Sequence, residues 1–170
     1  RRRHTRFRNV TGVQTCALPI SVNGARAAIR GCERDIVLIA QVTVETTGTM
    51  LLGSEIGAAL NSLAALDVDV VGMNCATGPA EMSEHLRTLS KSSPVAISCM
   101  PNAGLPILKD GGAFYPLGPK ELATSLSHFV DDYGVGLVGG CCGTTPEHLA
   151  EVVTKIHGRK VPERKLTKEP

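Results

Sequence analysis

From Ser21 onward the chain alternates short β-branched runs with amphipathic stretches, and this alternation constrains the fold more than any other feature. Ile36 to Val44 (IVLIAQVTV), Val68 to Met73, Val95 to Cys99 and Val135 to Val138 are apolar and too short for ordinary helices, so each reads as a strand. Other apolar residues recur at helical spacing: Leu52, Ile56, Leu60 and Leu63, then Met82, Leu86 and Leu89. Leu122, Leu126, Phe129 and Val130 follow, and last come Leu149, Val152, Val153 and Ile156. Val22 to Gly31 reads as the end of a further helix, stopped by Gly31. Three helices open alike, at Gly78-Pro79-Ala80-Glu81, Gly118-Pro119-Lys120-Glu121 and Thr145-Pro146-Glu147. Proline at the first helical position sacrifices no hydrogen bond, and an acid in the first turn suits the helix dipole. Four strand–helix units in strict alternation require parallel strands joined by right-handed crossovers. A doubly wound sheet and part of a (β/α)8 barrel both satisfy that pattern. No GxGxxG follows a strand, which disfavours a nucleotide site.

Composition excludes several classes of function. A chain of 170 residues with 42% hydrophobic and 20% charged residues is an ordinary globular composition for one domain. No apolar run approaches the roughly eighteen residues of a membrane span, so no membrane partner is expected. The net charge of +2 conceals basic ends: residues 1–8 hold five Arg and no acid, and the last sixteen residues are also basic. The body between them is acidic and aromatic residues make up only 3%, which argues against a nucleic-acid face. Nothing marks secretion, so a cytoplasmic location is expected.

Residues 1–20 stand apart. The Arg-rich start admits a transit-peptide reading. However, Val10 to Ile20 (VTGVQTCALPI) resembles the conceptual translation of a sequencing-library adapter, and we treat 1–20, including Cys16, as foreign to the fold. Residues 21–158 then form the domain, and 159–170 (RKVPERKLTKEP) read as a charged linker or tail.

Three cysteines stand where strands end. Cys75 closes VVGMNC, and Cys141 and Cys142 close GLVGGCC. In parallel α/β architectures chemistry collects at the carboxyl ends of strands. Adjacent residues on a regular strand point to opposite faces, so Cys141 and Cys142 share a target only if the backbone leaves β geometry there. Gly139, Gly140 and Gly143 make such a turn accessible. Three thiolates with a fourth position open describe a catalytic zinc site, whereas small cysteines packed at a Gly-rich strand end would have no chemistry.

The segments GMNCATGPAEM, SCMPNAGLP and LVGGCCGTTPEHL, in that order, resemble the signatures of the homocysteine-binding domain of cobalamin-dependent methionine synthases and related homocysteine methyltransferases. VTVETTGTMLLGSEIGAAL is similar to the same lineage, and the likeness runs over about residues 22–158. The resemblance implies a (β/α)8 barrel, of which this chain would hold the C-terminal half, about four βα units. It implies Cys75, Cys141 and Cys142 as zinc ligands, with the homocysteine thiol in the fourth place. It also implies methylcobalamin as methyl donor, bound by other domains of a parent polypeptide that handle folate and cobalamin. Such a half barrel has two open sheet edges, so the chain alone is expected to be inactive.

The remaining candidates are weaker. Asn74, Asn102 and Glu45 lie near strand ends and could line the amino-acid pocket, or serve only their own turns. Cys99 reads as packing, Cys32 as an inert helical residue, and His85, His128 and His148 as solvated or core-satisfied. Two rivals remain: a single-domain methyltransferase using betaine or S-methylmethionine, and a non-catalytic zinc-stabilised α/β module.

Overall fold

The computed structural model describes the backbone of residues 10–32, 35–51 and 53–167, with side chains from Pro19 onward. In chain order the elements begin α1 (Val10–Arg30), β1 (Ile39–Val42), α2 (Ile56–Ala64), β2 (Val70–Asn74), α3 (Pro79–Ser92) and β3 (Ala96–Met100). A hairpin follows, β4 (Ile107–Lys109) with β5 (Gly112–Phe114), then α4 (Pro119–Tyr133), β6 (Leu137–Val138) and α5 (Pro146–Ile156).

The main sheet has the order β1-β2-β3-β6, and every neighbouring pair is parallel. This order decides between the two architectures. A doubly wound sheet reverses its strand order at a switch point, and so carries helices on both faces. Strands that follow one another in sequence, linked by right-handed crossovers, put every helix on the same face, as in a barrel wall.

The helix-covered face carries the core. Val42, Met73, Cys99 and Val138 stand in register across the four strands, and the first three are at most 3% exposed. Leu63 of α2, Met82, Leu86 and Leu89 of α3, and Leu122 and Leu126 of α4 are buried with them in one cluster. Each such side chain contributes roughly 1.5–3 kcal/mol by leaving water. On the opposite face Gln41, Gly72, Ser98 and Leu137 form one register row. The Gln41 amide donates to Ser98 Oγ at 3.0 Å, reaching past Gly72, where any Cβ would land inside Ser98.

The three Pro-opened helices begin as the sequence predicts, with Gly78, Gly118 and Thr145 as N-caps. Glu121 also folds back to accept from the Gly118 N–H at 2.7 Å. Elsewhere the structure departs from expectation. Strands β1 and β6 are shorter than their apolar runs, whereas β2 and β3 start later than theirs and continue one residue further, to Asn74 and Met100. Helix α2 starts at Ile56; Leu52 lies outside the described residues. On α5 only Val152 of the predicted stripe is fully buried, while Leu149 and Val153 are 43% and 57% exposed. One side of α5 packs on α4, and among the described residues no element covers the side bearing Leu149 and Val153.

Helix α1 ends near Gly31 as expected, but it extends back through residues 10–20. Side chains of 10–18, Cys16 included, and all of residues 1–9 lie outside the described residues. Cys32 falls beyond the helix and is exposed. The segment read as a linker is tied down through residue 167. Arg159 meets Asp131 at 2.8 Å, and the Thr167 N–H donates to the Lys91 carbonyl at 2.9 Å. The Arg164 guanidinium donates to the carbonyls of Ser93 (3.0 Å) and Val95 (2.6 Å) at the end of α3.

Candidate metal centre

At the carboxyl ends of the strands the backbone leaves regular geometry in two places. Cys75 and Ala76, just after β2, have φ of +60° and +56°. Left-handed geometry costs non-glycine residues roughly 1–2 kcal/mol each, so the surroundings must hold it. Here the Cys75 N–H donates to Met100 O at 3.1 Å, and the Thr77 N–H to Cys75 O at 2.7 Å. After β6, the Thr144 N–H bonds Cys141 O at 3.2 Å and Gly143 takes φ +76°, so the chain turns sharply through the cysteine pair. Gly140 is required by contact as well, since a Cβ there would land in the Thr144 side chain.

The three cysteines share one template. Cys75 N–H donates to Met100 O at 3.1 Å, Cys141 N–H to Pro101 O at 2.8 Å, and Cys142 N–H to the Asn102 side-chain carbonyl at 3.1 Å. Three consecutive residues at the end of β3 therefore position cysteines from its two neighbouring strands.

The result is a cluster of sulfurs. Cys75 and Cys142 are 3.6 Å apart, Cys141 and Cys142 3.9 Å, and all three sulfurs lie within 4.8 Å of one another. Sulfurs on a tetrahedral ion with bonds of about 2.3 Å are about 3.8 Å apart, so the cluster fits a zinc-sized ion with little movement. The thiols differ in acidity. Hydrogen bonds from Cys75, Tyr115 and Cys141 lower the Cys142 thiol below its ordinary value. Burial pushes Cys141 up to about 11, with hydrogen bonds to Cys75 and Cys142 adding to the effect. Cys99 stays out of the cluster: it is buried, its Sγ lies 3.7 Å from Met82 Sδ, and burial raises its thiol well above the ordinary value.

Of the other predicted residues, Asn102 is 3% exposed and is committed through its side chain to Cys142. Its backbone N–H also bonds Thr77 O at 3.0 Å, tying the β2 and β3 loops together. Asn74 ends β2 half-buried, 3.5 Å from the Thr43 hydroxyl. Glu45 lies three residues past β1 in a turn, with its N–H on Thr49 O, half-buried at the same end of the sheet. His148 is core-satisfied: Nδ1 accepts from the Thr145 N–H (3.2 Å), and Nε2 faces Leu117 O (2.9 Å). It thereby fastens the start of α5 to the loop before α4. His128, exposed, sits 3.8 Å from Asp132.

Two features escaped sequence reasoning, the hairpin and the Tyr115 that follows it. The signal was present in Lys109-Asp110-Gly111-Gly112, a D-G pair between apolar residues. Asp110 and Gly111 take φ of +50° and +78°, the doubly left-handed turn that such a pair favours.

Residues 11–156 match the family described as Homocysteine S-methyltransferase. The chain is 56% identical over 162 residues to the methionine synthase of Mycobacterium tuberculosis H37Rv, and 55% identical over 167 residues to that of Mycobacterium leprae. Each match covers 93% of this chain and 14% of the relative, so the chain spans about one seventh of those proteins. Among solved structures, it is similar to the homocysteine methyltransferase MmuM of Escherichia coli in its metallated form, with TM-score 0.61 and 20% identity. The oxidized form of MmuM gives 0.57 and 19%. These alignments cover 81% of this chain and 40% and 42% of the MmuM chains, so the fold is part of that barrel.

Proposed function

Because the chain belongs to the homocysteine S-methyltransferase family, we propose that it carries the zinc- and homocysteine-holding part of a methionine synthase, where the homocysteine thiol accepts a methyl group. The observation that carries this reading is the convergence of Cys75, Cys141 and Cys142 on one point, with their amides fixed by Met100, Pro101 and Asn102.

Cys75, Cys141 and Cys142 would hold the ion and leave one tetrahedral position for a substrate sulfur. When bound, zinc supplies the Lewis acidity that keeps a thiol deprotonated near neutral pH. Three cysteine thiolates outweigh the double charge of the ion, so a fourth sulfur retains electron density and remains nucleophilic. The template residues keep the thiolates in place while that sulfur arrives, which lowers the ordering cost of binding. Asn74, Asn102 and Glu45 stand at the same end of the sheet, and we assign them to the amino-acid end of homocysteine. We place the donor, methylcobalamin, and its recharging from a folate in other domains of a parent polypeptide. The one-seventh share of the curated relatives supports that division.

The test uses the full chain loaded with zinc. One zinc per chain is expected, falling towards zero in Cys75→Ala, Cys141→Ala and Cys142→Ala, with homocysteine adding a sulfur to the metal's coordination by X-ray absorption. Supplied methylcobalamin should yield methionine in the complete parent enzyme and not in its cysteine variants. Zinc lost with methyl transfer retained would overturn the reading.

A further inference from the structure

We propose that Tyr115 is a positioning residue of the cysteine centre, its ring packed on Gly143 so that it holds the turn carrying Cys142. This rests on the zinc and homocysteine reading above. Three observations carry it. First, a Cβ at Gly143 would land inside the Tyr115 ring, so the aromatic ring lies directly on the turn that follows Cys142. Second, the segment after Tyr115 is clamped from both sides. The Leu117 N–H donates to Ala103 O at 2.9 Å, while Leu117 O faces His148 Nε2 at 2.9 Å. A Cβ on Gly104 would come within 3.2 Å of Pro116 Cδ, so the β3 loop and this segment are in close contact. Third, the clamp is joined to the centre itself, because the Ala103 N–H donates to Cys142 O at 2.9 Å.

The chemistry follows. A ring packed on this turn fixes the direction in which the Cys142 sulfur points, as outer partners of metal ligands do.

The experiment compares the full chain with Tyr115→Phe and Tyr115→Ala, each first checked for native circular dichroism. Zinc affinity is measured by competition with a chromophoric chelator. The Co²⁺-loaded form is read by its thiolate-to-cobalt charge-transfer band, and metal-free Cys142 by its rate of iodoacetamide alkylation, located by peptide mass. Tyr115→Ala is expected to weaken zinc about tenfold and move the cobalt band, as loss of an outer partner does, whereas Tyr115→Phe, which keeps the ring, retains both. Tyr115→Ala is expected to speed alkylation of Cys142 several-fold, while Tyr115→Phe does not. A Tyr115→Ala protein with unchanged affinity, an unchanged band and unchanged alkylation overturns the positioning role of the ring. Should the unsubstituted chain take up neither zinc nor cobalt, the reading of the centre fails, and the alkylation rates alone decide for or against Tyr115.

Discussion

The sulfurs of Cys75 and Cys142 lie 3.6 Å apart although the residues are 67 positions apart in the chain. Each owes its place to a third segment: Met100 O holds the amide of one, and the Asn102 side chain holds the amide of the other. A centre built this way is sensitive to residues that supply no sulfur to it.

Asn102→Ala should show that sensitivity. The substitution leaves the Cys142 amide without its acceptor and should cost about 1–3 kcal/mol of stability. Zinc affinity should fall about tenfold or more, as for other partners that orient metal ligands. Asn102→Asp, which keeps an acceptor oxygen, should recover much of the stability. Thermal unfolding and chelator competition measure the two effects, and equal affinity in all three proteins would contradict the template.

Gly143 and Tyr115 should be energetically coupled. Gly143→Ala forces a side chain both into a left-handed backbone and into the Tyr115 ring. It should cost about 1–3 kcal/mol. In the double variant with Tyr115→Gly, which removes the Tyr115 Cβ as well as the ring, the steric part disappears and only the backbone part of about 1 kcal/mol remains. A double-mutant cycle from urea unfolding should therefore return a coupling well above about 0.5 kcal/mol, and strict additivity would refute the contact.

Arg164 should behave as part of the domain. Its guanidinium donates to carbonyls at the end of α3 and in the turn leading to β3, and Gly134 leaves room for its stem. Arg164→Ala should lower stability by about 2 kcal/mol, in the range for hydrogen bonds to a charged group. It should also open the basic segment from Arg159 to Lys165 to trypsin. Resistance of that segment in the variant would mean that the remaining contacts suffice.

Stability should decline on the alkaline side in a way that Cys99 governs. Burial raises its folded-state thiol above the ordinary 9.0. Below that value both states keep the proton and the contribution is complete. Above it the unfolded chain releases the proton while the folded chain retains it, so stability falls as pH rises. The slope approaches about 1.4 kcal/mol per pH unit from this group. Cys99→Ala should lose that component, visible as a shallower fall of the urea midpoint above pH 9.0. Parallel curves for the two proteins would count against it.

Much of this was legible in the sequence. The short Val- and Ile-rich runs and the Gly-Pro helix starts mark parallel βα units, because strand length and capping chemistry are local properties. The cysteines could be placed at strand ends for the same reason. What joins them could not. That Met100, Pro101 and Asn102 accept from the three cysteines depends on which strand lies between which, and strand order is a property of the assembled sheet. The hairpin was missed because Lys109-Asp110-Gly111-Gly112 sits inside a Gly- and Pro-rich stretch that reads as loop throughout. The apolar stripe of α5 was over-read: spacing identifies Leu149 and Val153 as one helical face, but does not say whether an element covers them.

The shared template also has a dynamic consequence. The amides of Cys75, Cys141 and Cys142 hang from successive residues of one strand end, so none can exchange with solvent without disturbing the support of the other two. In hydrogen-exchange terms the three should report one opening event with a common free energy. Capture and release of an ion would then be governed by the frequency of that single motion, and the ligands would let go together rather than one by one.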